Sequence, residues 1–191
     1  MPNHTSTLLT VTGVDKEIES FMKKAAGKDS NFSPKPVLSF QSLYPLPSDL
    51  VGTRAPSNPE TDEEKERSEH LRQLYGYDNW YDWCIENWST KWDCYDQDEE
   101  WNVEDGDGGG KLIKLYYHTA WSPATNFYTE VSKKFPGLLF RHEFADEGGS
   151  FLGYEEFQNG EMTDAQEFEW NDDDGKELRD RLGIVDWEEE E

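Results

Sequence analysis

Apolar and β-branched residues fill positions 7–12 and stop at Gly13, a pattern that predicts a strand. Ile18, Phe21, Met22 and Ala25 then recur at helical spacing, with Lys23 and Lys24 near the end and Gly27 as a stop. Residues 28–60 carry six prolines, from Pro34 to Pro59, and predict irregular chain laid over a core by Phe40, Leu43, Tyr44 and Leu46. Positions 60–75 predict a charged, solvent-facing helix, apolar only at Leu71, Leu74 and Tyr75. Over 77–89 the pattern becomes aromatic. Asp78 suits an N-cap, and Trp80, Cys84 and Trp88 fall at i, i+4 and i+8 on one face, which leaves Trp83 off that face and open to exposure.

Residues 90–95 predict a further strand, and a Gly-rich loop over 104–110 leads into the strongest strand pattern, 111–121. A helix over 123–135 is stopped by Pro136-Gly137, and a strand follows over 138–144. Two more strands, 151–158 and 161–170, flank Asn159-Gly160, a strong hairpin signal. A short helix near 175–182 and an acidic end, Glu188–Glu191, complete the chain. The order predicts an α+β, ferredoxin-like (split βαβ) antiparallel sheet. Its helices lie on one face, with a long Pro-rich and helical insertion at 28–89 and an extra C-terminal β-hairpin. Residues 1–170 are expected to form one domain, with 171–191 an acidic helix and tail.

Composition sharpens this picture. Eight Trp in 191 residues predict a core built on large rings rather than a disordered chain. The net charge is −24, and it is unevenly spread. Residues 1–75 hold nine Lys/Arg against eleven Asp/Glu, whereas residues 76–191 hold nine against thirty-one. Such a field repels nucleic acid and anionic membrane and attracts basic surfaces, and no basic stripe for direct phosphate contact is visible. The two cysteines, Cys84 and Cys94, form no C-x-x-C and read as free thiols of a reducing cytosol. With no leader-like N-terminus and no long apolar run, the expected location is the cytoplasm of a bacterial host cell.

Several candidate chemistries fail on spacing. His118 and His142 on strands of one sheet, with Glu143 or Cys94, would be a metal group, yet no H-x-x-x-H or H-E-x-x-H supports it. Reading Asp172 as the first position of a calcium loop places Gly183 where a bidentate Glu is needed. Glu104–Gly110 reads as a flexible loop with at most loose cation binding. Cys84 lies in an apolar face, Ser122 lacks a G-x-S-x-G setting, and no phosphate-cradling glycine loop occurs. The expectation is no catalytic residue, no metal and no cofactor. Trp80, Trp83, Trp88, Trp92 and Trp121 would serve as a stacking platform or a cation cage, but their spacing favours a core role, with Trp80 and Trp88 buried.

The strings Asn79-Trp80-Tyr81-Asp82-Trp83, Glu86-Asn87-Trp88-Ser89-Thr90-Lys91-Trp92-Asp93 and Thr119-Ala120-Trp121-Ser122-Pro123 resemble the YubB-type ferredoxin-like proteins carried by plasmids and phages. Phe135-Pro136, Glu147-Gly148 and the 43–47 stretch extend the match over most of residues 3–155. This chain departs in having Ser89 where the resemblance leads one to expect Gly, and in its acidic C-terminal third. The resemblance implies a ferredoxin-like fold and a mobile-element origin, and it carries over no catalytic residue.

The acidic third bears the functional expectation. Glu161, Asp164, Glu167, Glu169, Asp172, Asp173 and Asp174 run along one strand and its exit, ahead of the Glu188–Glu191 tail. Duplex DNA carries one charge per ~1.7 Å of axis, and spaced carboxylates imitate such a field. The expected partner is therefore a basic protein surface on a host nucleic-acid-binding defence factor, a restriction or CRISPR effector, occupied by a non-enzymatic DNA mimic. The same charge would otherwise serve only solubility. A nucleic-acid-binding module stacking bases on sheet aromatics, or a small enzyme of unrecognised site, are the alternatives.

Overall fold

The computed structural model describes residues 3–28, 35–106 and 109–184. Strand β1 (His4–Gly13) is the centre of the sheet. It pairs antiparallel with β3 (Lys111–Ala120) on one side and β4 (Leu139–Asp146) on the other. With β2 (Asn102–Asp105), β5 (Leu152–Gln158) and β6 (Glu161–Glu167), the full order is β2-β3-β1-β4-β5-β6. The first four strands follow the split βαβ order. The C-terminal hairpin then widens the sheet by two strands, through a turn at Asn159 (φ 52°) and Gly160 (φ 85°) whose left-handed geometry fits the sequence signal.

Alternation along the strands builds two unequal cores. One face sends Leu9, Val11, Ile113, Leu115, Tyr117, Phe140 and Phe157 into a cluster closed by helices α1 (Asp15–Ala25) and α5 (Thr125–Lys134). The 40–88 region completes that cluster with α2 (Phe40–Leu43), a 3-10 turn at Ser48–Leu50, α3 (Asp62–Tyr75) and α4 (Trp80–Trp88). Phe40 is its hub: it stacks on Phe127 at 3.9 Å between centroids and meets Trp88 and Tyr117 edge-on. Each such pair adds about 0.5–1.5 kcal/mol beyond area burial.

The opposite face is covered near β4 and β5 by α6 (Asp173–Arg181). Leu178 and Leu182 pack there with Ala145 and Leu152, flanked by Leu8, Tyr116, Phe168 and Trp170. The helix starts hard against the chain that leaves β6: a Cβ on Gly175 would strike the Glu169 carbonyl oxygen.

Three local expectations need correction. Residues 90–95 form no strand. Thr90 Oγ1 is tied to the Ala120 carbonyl and amide instead, Ser89 and Asp96 take positive φ, and only an isolated bridge joins Tyr95 to His118. The Asp93 carboxylate accepts from the Phe40 amide at 2.6 Å and from the Ser39 hydroxyl at 2.8 Å, so side-chain bonding replaces a backbone ladder. The place beside β3 goes to β2, drawn partly from what reads as a Gly-rich loop. Third, α4 is capped by Asn79, whose side chain accepts from the Asp82 amide, and not by Asp78. The acidic end, 188–191, lies outside the described residues, as do 107 and 108 of the Gly-rich loop.

Candidate functional site

All seven acidic residues singled out in the sequence are exposed, and among the described residues none pairs with a cation. They do not share one face. In β5, Tyr154, Glu156 and Gln158 point to the α6 side, while Glu155 and Phe157 point to the α5 side. The register shifts between Glu156 and Phe157, so that Asp164 lies opposite Glu156 and Met162 opposite Phe157, with Thr163 as the extra residue. The bulge therefore places Glu161 and Asp164 on the α6 side although they are three residues apart, and leaves Glu167 on the other. Asp164 accepts a 2.8 Å hydrogen bond from the Tyr154 hydroxyl, which lifts the Tyr154 pKa above its ordinary value.

Beyond the strand the acids divide by task. Asp172 is the N-cap of α6 and accepts from the Gly175 amide at 2.6 Å. Asp173 and Asp174 occupy the first helical turn, where negative charge complements the helix dipole. Glu161, Asp164, Glu167 and Glu169 have no such structural duty. They form an acidic outer rim on an edge strand whose seven residues are all exposed.

The five tryptophans split. Trp88 is 3% exposed and donates its indole N–H to the Tyr44 carbonyl at 2.9 Å. Trp83, expected to be open, is 5% exposed and meets Trp88 edge-on, because α4 is enclosed on more than the one face its stripe marks. Trp80 is half-buried against the core. Trp92 and Trp121 remain outside, 37% and 40% exposed, with the Lys91 ammonium over both rings at 4.5 and 4.7 Å. A cation cage does exist there, and the chain's own Lys91 fills it.

His118 and His142 stand on opposite faces of the sheet, since His118 pairs with Ser6 and His142 with Leu9 on β1, and so cannot converge on one ion. His142 is fully buried, with Nε2 2.7 Å from Glu155, which also accepts from the Thr125 hydroxyl at 2.8 Å. Burial raises the Glu155 pKa, but His142 and Thr125 outweigh it and hold the carboxyl below its ordinary range. His118, near His4, Tyr95 and Tyr116, is kept below the ordinary histidine value by burial, although Asp96 pulls it upward. Among the described residues no three His, Cys, Asp or Glu gather as a metal group. Cys84 and Cys94 are free and buried; burial lifts the Cys84 thiol to about 12 and raises Cys94 further from reactivity.

One arrangement escaped the sequence. Asp78 is a buried acceptor hub, taking hydrogen bonds from Ser57 at 2.7 Å, Arg72 at 2.6 Å, Asn79 at 3.1 Å and the Ser68 hydroxyl. It lies at a cavity between the 52–59 loop and α3. Apart from the adjacent Asn79, the partners are 6 to 21 residues away in sequence and follow no spacing rule.

The family described as "Ferredoxin-like domain in Api92-like protein" matches residues 88–186, from the end of α4 through α6. An Escherichia coli (strain K12) protein described as "Uncharacterized protein YubB" is 28% identical over 107 residues, covering 53% of this chain and 70% of that protein. The crystal structure of api92 from Yersinia pseudotuberculosis matches with a TM-score of 0.49 at 10% identity, over 88% of this chain and 98% of that one. No helix among the described residues is long and apolar enough to cross a membrane.

Proposed function

We propose, from the premise that this chain belongs to the family of Api92-like proteins with a ferredoxin-like domain, that it acts by binding: its acidic edge strand β6 engages a basic protein surface. The observation that carries this proposal is the rim itself. Glu161, Asp164, Glu167 and Glu169 are exposed at the outer edge of a six-stranded sheet, and among the described residues none pairs with a cation. An edge strand needs some charge to deter sheet-to-sheet pairing. Four carboxylates on both sides of one short strand and its exit exceed that need, and among the described residues no cation competes for them. In its finer form, the partner is a host nucleic-acid-binding factor whose groove the rim fills in place of DNA.

Other features support binding over the alternatives. Base stacking on the sheet is opposed by α6, whose Leu178 and Leu182 cover the β4–β5 part of the face such a module would use. Nucleophilic catalysis by either cysteine is opposed by thiols held protonated by burial.

The experiment is affinity capture from bacterial host extract on the wild-type chain and on E161K/D164K/E167K/E169K. Asp172 is left intact, because reversing it would remove the α6 cap. A basic protein retained by the wild type, released by duplex DNA and absent from the reversed variant supports the proposal. A partner held equally by both would remove the rim from the binding site.

A further inference from the structure

The cavity between the 52–59 loop and α3 has an imbalance between acceptors and donors. Its volume is about 250 Å³, and Arg54, Ser57, Glu64, Arg67, Ser68 and Asp78 are among its lining residues. Both carboxylates already accept hydrogen bonds from within the chain. Asp78 is committed to Arg72, Ser57, Ser68 and Asn79. Glu64 closes the α3 capping box, accepting from the Glu60 and Thr61 amides at 2.8 and 3.0 Å. The guanidinium groups of Arg54 and Arg67, both on exposed residues, make no ion pair or hydrogen bond among the described residues, and Arg54 acts on Glu64 only through its field. In a chain with 42 acidic residues against 18 basic ones, two arginines lining one hollow without an ion pair to either of its carboxylates are against expectation.

We propose that this cavity is a binding site for a compact phosphate group, as the free ion or as a small phosphate monoester, held between Arg54 and Arg67. A planar fork of N–H donors matches phosphate oxygens two at a time. A phosphate dianion offers enough oxygens and enough charge for two forks arriving from different elements, whereas a single small carboxylate satisfies one. The hollow is below the size of pockets that enclose drug-sized ligands, which suits a ligand of few atoms. The site is independent of the acidic rim: it belongs to residues 1–78, outside the 88–186 family match.

The test is calorimetric titration of the full chain with sodium phosphate, and separately with sodium acetate, at ionic strength fixed by sodium chloride so that screening of the −24 charge contributes equally. Arg54→Ala and Arg67→Ala are compared with Lys133→Ala, whose ammonium pairs with Glu130 elsewhere. Saturable binding of one phosphate per chain is expected, weakened about tenfold or more by either arginine change and unaltered by Lys133→Ala. Phosphate should also raise the melting temperature of the wild type and not of the arginine variants. Absence of saturable phosphate binding, or binding unchanged in both arginine variants, overturns the site. Acetate binding as tightly as phosphate overturns the phosphate assignment.

Discussion

Single residues decide more here than their exposure suggests. Trp88 fills core volume and spends its N–H on Tyr44, so Trp88→Ala is expected to cost about 3–5 kcal/mol in denaturant unfolding. Trp92→Ala, at a ring 37% exposed with the Lys91 ammonium over it, should fall within about 1 kcal/mol of wild type. Equal losses for the two would show that the division between core and surface tryptophans is wrong. Asp78 gives a pH prediction. Burial raises its pKa, but the hydroxyls of Ser68 and Ser57, the Asn79 amide and the Arg72 charge together hold the carboxyl below its ordinary value. A depressed carboxyl stabilises the fold fully above its unfolded pKa of about 4, and that contribution is lost as pH falls through the lower, folded value. Asp78→Asn should therefore cost about 2–3 kcal/mol at neutral pH, a gap that narrows on acidification in chemical unfolding series. A gap constant with pH would mean that the charge of Asp78 contributes nothing. Trp88 was legible from helical spacing. Trp83 was not, because a stripe records one buried face and says nothing of a second.

At the scale of elements, the backbone after α4 shows the limit of pattern reading. Thr90–Tyr95 has strand-like composition, yet Asp93 and Thr90 bond backbone groups far away in sequence, and no local rule predicts such partners. The strands 4–13, 111–120, 139–146, 152–158 and 161–167 were legible because their alternation serves real cores, and the Asn159-Gly160 turn because its conformation demands those residues. The bulge in β6 was not legible. It depends on how β5 and β6 pair, and it alone decides that Asp164 shares a face with Glu161. Ser89 ends α4 at φ 61°, the left-handed position where glycine is favoured, which explains why the resemblance leads one to expect Gly there. Its hydroxyl compensates by accepting from the Asn126 amide at 3.0 Å. Ser89→Ala loses that acceptor and keeps the strain, whereas Ser89→Gly loses the acceptor and relieves it. The glycine variant should therefore be more stable than the alanine variant by about 1 kcal/mol in thermal or urea unfolding. The reverse order would show that the backbone at 89 carries no strain.

Across the whole molecule, charge and architecture are segregated. The nearly balanced residues 1–75 supply α1, α2 and α3 and one side of the core, while the acidic remainder supplies most of the sheet and its outer rim. Such a distribution would steer association with a basic partner at long range, and would make that association sensitive to salt. The central claim is that Glu161, Asp164, Glu167 and Glu169 form the binding edge. It is tested most directly by the dissociation constant of the captured partner at a series of salt concentrations, for the wild type and for E161K/D164K/E167K/E169K. The account predicts wild-type affinity that falls steeply as salt rises, competition by duplex DNA, and little or no binding by the reversed variant with its fold intact. Affinity independent of salt and of the four reversals, or direct retention of DNA by the wild-type chain, would contradict it.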